Sequence, residues 1–189
     1  PAGALYRRVF ERFGIPCAVQ AELDLTRTLT GRGLIALLEA AVGEGRASDL
    51  LAYLRTPGIS GPGRIDWFER SLRRRRAQSA DDALALWAEG DRPELAEIGR
   101  LREAGTGREL LRAAAREARW IAEASQRRLG AVAGNDRSLE LRAGAELERR
   151  LLELAELDLP LEPRELIATI GELTVPMWRG PTEGRVRVI

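Results

Sequence analysis

The chain has no lysine and no histidine, a single cysteine, Cys17, and a single methionine, Met177. All 30 of its basic side chains are therefore arginine. Without histidine there is no Ser-His-Asp triad, no Cys-His dyad and no histidine ligand for zinc. One cysteine allows neither a disulfide within the chain nor a cysteine zinc site. Without lysine there is no Gly-x-x-x-x-Gly-Lys-Ser/Thr phosphate loop. No apolar run reaches the roughly 18 residues of a membrane span, and no signal peptide opens the chain. A lone cysteine and the lack of a targeting segment predict a reducing, cytoplasmic setting. The start at Pro1 reads as a piece cut from a larger protein.

What is present is 189 residues with 44% hydrophobic content, enough for one domain with a real core. The 29 acidic residues leave a net charge of +1. Any nucleic-acid contact must then come from local arginine patches rather than bulk charge.

Periodicity predicts a mostly α, multi-helix domain with short strands near the N- and C-termini. Tyr6, Val9, Phe10 and Phe13 share one face of a helix over 5–13, stopped by Gly14, and Ile15 to Val19 reads as a strand. Leu34, Leu37, Leu38, Ala41 and Val42 mark a helix over 33–42, ended by Gly43 and Gly45. Ser48 is the expected N-cap of a helix over 49–55, and Thr56 to Gly63 is a loop. Further helices are expected over 65–76, from a Ser79/Asp82 capping box to Glu89, from Pro93 to Gly105, and over 107–129, 138–157 and 163–171. Gly134-Asn135-Asp136 reads as a turn. Thr174 to Trp178 looks extended, Gly180 to Gly184 turns, and Arg185 to Ile189 alternates as a strand does. The strand-bearing ends, 1–20 and 174–189, either pair with each other or belong to a larger sheet.

The sharpest local signal is Arg73-Arg74-Arg75-Arg76. Successive helical residues turn by about 100°, so part of this run must face solvent. Such a cluster can neutralise phosphates and give salt-dependent binding; it equally suits the negative end of a helix dipole. The Gly58 to Arg64 loop precedes it, and glycine amides admit a phosphate backbone closely. Arg64, Arg73, Arg74, Arg75 and Arg76 are the candidate DNA-contacting residues. The carboxylate pairs Asp81/Asp82, Glu146/Glu148 and Glu153/Glu156 lie among arginines on predicted helices. They read as ion pairs rather than acid–base or metal sites, so no catalytic or metal residue is assigned. Gly31-x-Gly33 lacks the third glycine of a dinucleotide loop. Trp67, Trp87 and Trp120 fall on apolar helix faces and are expected in the core, with Trp178 the more open one.

Three stretches carry a resemblance, in order along the chain. The first is Leu5-Tyr6-Arg7-Arg8-Val9-Phe10-Glu11-Arg12-Phe13-Gly14-Ile15-Pro16-Cys17-Ala18-Val19. The second is Leu34-Ile35-Ala36-Leu37-Leu38, continued by Asp49 to Leu54 and the Thr56-Pro57-Gly58 stop. The third is the closing Gly184-Arg185-Val186-Arg187-Val188-Ile189. Together they resemble the accessory 2B subdomain of superfamily 1 DNA helicases of the UvrD/RecB/AddB type. Within that family, the AddB-like or exonuclease V helicase–nuclease subunits look closer than UvrD itself. The middle, residues 78–172, matches only in being helical. In the family, the helix-Gly-Ile-Pro-strand passage precedes a helical insertion into the second motor domain, and the closing strand re-enters the motor. UvrD-like members carry a Gly-Ile-Gly loop at duplex DNA, which Gly58-Ile59-Ser60-Gly61 approximates.

The resemblance implies a non-catalytic accessory domain of a helicase–nuclease for DNA break repair and recombination. It would contact the DNA backbone or regulate the motor. Its implied partners are DNA, the motor domains of the parent protein and a second helicase–nuclease subunit, with no membrane. ATP and Mg would bind the parent alone, because the phosphate loop, the Asp-Glu box and the nuclease motif lie outside these residues. No cofactor is implied for this chain. The alternative is a protein–protein docking module in which the helices over 107–129 and 138–157 present a face to a partner. An all-helical enzyme using carboxylates is the third.

Overall fold

The computed structural model describes residues 8–188 apart from residues 11, 16, 91, 106, 130–133 and 180–185. At 17–21, 126, 128–129, 134–138, 176–179 and 186–188 it describes the backbone alone. The chain is mostly helical and divides into two compact units.

The first unit joins the segment up to Asp24 with the segment from Thr174 onward. Its sheet holds β1 (Cys17–Asp24), β2 (Thr174–Arg179) and β3 (Val186–Val188) in the order β2-β1-β3. β1 runs antiparallel to β2, from Asp24 opposite Thr174 to Val19 opposite Arg179, and parallel to β3 over residues 17–19. The strands near the two ends therefore pair with each other. β1 extends five residues beyond the expected end at Val19, because the ladder to β2 supplies backbone partners as far as Asp24. Residues 8–10 and 12 are helical, and Gly14, at φ +65°, lets the Ile15 amide donate back to the Phe10 carbonyl at 2.9 Å. Val9, Phe13 and Ile15 are exposed. Tyr6, Pro16, the Gly180–Gly184 turn and the side chains of Cys17 and Trp178 lie outside the described residues.

The second unit spans Leu25–Leu173. After a short 3-10 turn at Leu25–Arg27 come α1 (Leu29–Val42), α2 (Ala47–Leu54), α3 (Pro62–Arg75) and α4 (Ala80–Ala88). They are followed by α5 (Ala96–Ala104), α6 (Gly107–Leu129), α7 (Gly134–Glu156) and α8 (Pro163–Glu172). α1 is central and packs on α2, α5, α6, α7 and α8. Its Leu34, Leu37, Leu38 and Ala41 are buried at helical spacing, as are Leu110, Leu111, Ala114, Ala118, Ile121 and Ala122 of α6. α6 and α7 form the most extensive helix pair. Gly144 permits their approach, since a Cβ there would stand 2.5 Å from the Cβ of Ala122.

Two polar links tie distant helices together. Glu140 of α7, only 4% exposed, accepts hydrogen bonds from the Leu29 amide (2.9 Å), the Thr30 amide (2.8 Å) and the Thr30 hydroxyl (2.8 Å). The Thr28 hydroxyl takes the Gly31 amide at 2.9 Å. The free donors of the first turn of α1 are thus satisfied, two of them by a residue far along the chain. The second link runs from α2 through α5 to α6. The Tyr53 hydroxyl donates to Glu97 at 2.7 Å, and Arg100, one turn on, donates to Glu117 at 3.0 and 2.8 Å.

Burial, aided by the Glu97 carboxylate, pushes the Tyr53 phenol far above its usual range. Because lysine is absent, few side chains of the unfolded chain ionise in the alkaline range, which leaves the contribution of Tyr53 easy to read. Below the ordinary phenol pKa of about 10 both states keep the proton. Above it the unfolded chain ionises while folded Tyr53 does not, so stability falls with rising pH by up to about 1.4 kcal/mol per unit. Tyr53→Phe should remove that alkaline slope. At pH 7 it should cost about 1–3 kcal/mol, because buried Glu97 loses its donor. Urea melts at neutral and alkaline pH check both.

Several boundaries differ from the sequence expectation. Gly134-Asn135-Asp136 is not a turn but the first turn of α7. α2 begins at Ala47, not at a Ser48 cap, because the Ala47 amide is held by the Gln78 carbonyl at 2.8 Å and Asp49 accepts from the Arg46 amide at 3.2 Å. α5 begins at Ala96 rather than Pro93, whose carbonyl instead accepts the Trp87 indole N–H at 3.0 Å. The Ser79 cap forms as expected, accepting from the Asp82 amide at 3.1 Å.

Candidate nucleic-acid interface

Helix α3 carries all the sequence-predicted contact residues, but at opposite ends. Arg64 is in its first turn, Arg73, Arg74 and Arg75 in its last, and Arg76 is the C-cap at φ 53°. At 1.5 Å per residue, Arg64 and Arg73 stand about 14 Å apart along the axis.

The C-terminal cluster is partly neutralised. Arg73 pairs with Glu69 at 2.6 Å, and Arg55 binds the other oxygen of the same carboxylate at 2.5 Å. The Arg55 hydrogen bond is the main reason the Glu69 carboxyl titrates below its usual range, with Arg73 adding to it. Arg75 pairs with Glu89 at 3.3 Å, and the depression beside Arg75 and Arg76 is also lined by Asp82 and Glu89. Arg74 and Arg76 make no ion pair among the described residues.

The N-terminal end differs in chemistry. The loop leading to Gly61 lies against the C-terminal part of α6, where the Ser125 hydroxyl donates to the Pro57 carbonyl at 3.1 Å. Gly58 has φ +90°, and a Cβ there would sit 2.0 Å from the Ala124 carbonyl oxygen. On one side of the loop, Arg64 and Arg127 flank the stretch Gly58 to Gly61 in an open depression. In a second depression, Arg32 and Arg55 lie beside Thr56 and Pro57. No carboxylate lines either depression. Arg32, Arg64 and Arg127 make no ion pair among the described residues.

Arg64 is held by a neighbour. The Arg92 guanidinium lies over the Trp67 ring at 3.9 Å and 4.8 Å from the Trp87 ring, and donates to the Arg64 carbonyl at 3.2 Å. Phe68 meets Trp87 edge-on, with centroids 5.3 Å apart. Burial, and then the Arg64 charge, lower the Arg92 pKa. These contacts fix the first turn of α3 against the segment before α5.

The structure therefore brings Arg64 together with Arg127 and the glycine loop, and not with Arg73 to Arg76. Sequence reasoning missed Arg32, Arg55 and Arg127, whose assembly depends on long-range packing. It also placed Trp120 in the core, whereas Trp120 is 37% exposed. A helical wheel shows the reason: Trp120 stands about 100° around α6 from buried Ile121. Trp87 is buried as expected, and Trp67 is half-buried under Arg92.

No helix of the described residues is long and apolar enough to cross a membrane. Compared with protein-family models, curated proteins and solved structures, the chain matches none.

Proposed function

We propose that the chain is the helical accessory domain of an ATP-dependent DNA helicase–nuclease of the UvrD/RecB/AddB kind, acting in cytoplasmic break repair and recombination. It contributes backbone contacts to DNA while ATP, Mg and catalysis belong to the rest of the parent protein. The observation that carries this reading is the set of arginines without an ion-pair partner among the described residues, Arg32, Arg64 and Arg127, in two depressions at the glycine-bearing loop that no carboxylate lines. Cations without local counter-charges are what a phosphate backbone needs, and phosphate contacts hold register without reading sequence. The pairing of β1 with both β2 and β3 supports the insertion reading, which needs the two ends of the domain close together. Exposed Val9, Phe13 and Ile15 supply apolar surface suited to the motor domains.

Anisotropy of a labelled forked duplex, titrated across a salt series, tests it. Arg64→Ala with Arg127→Ala is expected to reduce the slope of log K against log salt by about 2. Arg73→Ala with Arg75→Ala should change it less, because Glu69 and Glu89 already counter those charges. An Arg64/Arg127 variant with an unaltered slope would count against the reading.

The protein-docking alternative has one observation in its favour. Leu141 and Leu152 of α7 are exposed and eleven residues apart, which places them within about 20° on one stripe. In that case DNA affinity is absent at low salt, and Leu141→Asp with Leu152→Asp abolishes capture of a second helicase–nuclease subunit.

A further inference from the structure

We infer that Trp120 is a stacking platform for a base of single-stranded DNA whose phosphates lie along Arg116 and Arg127. The inference rests on the DNA-contact reading above and adds the kind of strand that is engaged.

Among the described residues, the arginines of α6 fall into two sets, Arg108, Arg112 and Arg119 with acidic partners and Arg116 and Arg127 without. Arg112 is tied to Glu109 at 3.4 Å and Glu156 at 3.3 Å, and Arg119 to Glu123 at 3.0 Å and Glu148 at 3.7 Å. These are the paired charges of an ordinary solvated helix face. Arg116 and Arg127 make no ion pair among the described residues. They lie four residues before and seven residues after Trp120, so the three side chains fall within about 40° of one another around the helix. Glu123 lies on the same side of the helix, but its carboxylate is engaged by Arg119.

The indole itself differs from its counterparts. Trp67 and Trp87 lie under the Arg92 guanidinium, and Trp87 is buried. Trp120 carries no such cation over its ring among the described residues and is 37% exposed. An indole 37% exposed between two arginines that make no ion pair among the described residues matches the chemistry of single-strand binding. There the bases stack on aromatic rings while cations track the backbone. Stacking of this kind tolerates any base but requires one released from its partner, which an intact duplex does not offer. Arg127 also borders the depression with Arg64, so a strand stacked on Trp120 continues onto the carboxylate-free flank of the Gly58–Gly61 loop.

The test compares a labelled oligo-dT strand with a duplex of equal length, using the whole chain at low salt. Trp120→Ala is expected to weaken oligo-dT binding roughly tenfold and leave duplex binding unchanged, and Trp120→Phe should retain most of the single-strand affinity. Tryptophan emission should be quenched by oligo-dT in the unsubstituted protein, and less so in both variants. Circular dichroism of each variant separates loss of binding from loss of fold. If Trp120→Ala binds oligo-dT as tightly as the unsubstituted protein, or loses both probes equally while folded, the stacking inference is overturned. The backbone reading then still stands on the Arg64/Arg127 result. If the unsubstituted protein binds neither probe, both readings fall together.

Discussion

Replacing Gly58 with alanine is expected to destabilise the helical unit by on the order of 3–5 kcal/mol and to remove DNA affinity with it. Two effects combine. At φ +90° an L side chain is strained whatever surrounds it. The added Cβ would also stand 2.0 Å from the Ala124 carbonyl oxygen and 2.3 Å from its carbon, both part of the α6 backbone. The backbone of a packed helix cannot swing aside as a flexible side chain would, so the loop has to lift. Lifting it breaks the 3.1 Å bond from Ser125 to the Pro57 carbonyl and separates Arg64 from Arg127. Gly61, the N-cap of α3, with nothing within 4 Å of its hypothetical Cβ and no positive φ, is the control: Gly61→Ala should cost no more than about 1 kcal/mol. Chemical denaturation of the two variants side by side checks the contrast. Equal midpoints would show that the loop does not rest on α6.

The second large effect is expected at Glu140. Glu140→Ala removes the carboxylate that takes two amides and one hydroxyl at the start of α1, leaving the Thr30 amide buried and the Leu29 amide half-buried without it. With a charge-assisted bond worth about 1.5–3 kcal/mol and each stranded donor carrying its own penalty, a loss of about 3–5 kcal/mol is expected. Glu140→Gln keeps one carbonyl oxygen and should cost about 1–2 kcal/mol, part of it the loss of negative charge at the positive end of the α1 dipole. Hydrogen exchange gives a sharper readout than a melt. In Glu140→Ala the Leu29 and Thr30 amides should lose protection first, while Gly31, still capped by Thr28, is affected less.

Local physics made much of this fold legible. The apolar stripes of α1 and α6 and the Ser79 cap needed only helical spacing and one hydroxyl. The misreadings lie where a distant partner decides. Gly134 to Asp136 carry turn residues yet form the start of a long helix. Pro93 carries a helix-start signal, but its carbonyl is used by the Trp87 indole. Glu140 carries no local signal in the sequence, because its partners are amides at the start of α1, far along the chain. The candidate interface shows the same divide. A run of four arginines is conspicuous in sequence, but neighbouring acids blunt it in space. Arg127 is unremarkable in sequence and acquires its setting only when the Gly58 loop folds onto α6.

The ladder between β1 and β2 places Asp24 opposite Thr174, and within the helical unit the Leu25 amide donates to the Leu173 carbonyl at 2.9 Å. In chain order, residues 25–173 therefore connect two paired strands, a link that a short reverse turn makes in an ordinary hairpin. The entropy of closing a loop grows only logarithmically with its length, and a folded body whose ends already meet adds almost nothing further. Changes in the length of such a body therefore add little to the entropic cost of pairing the strands that carry it.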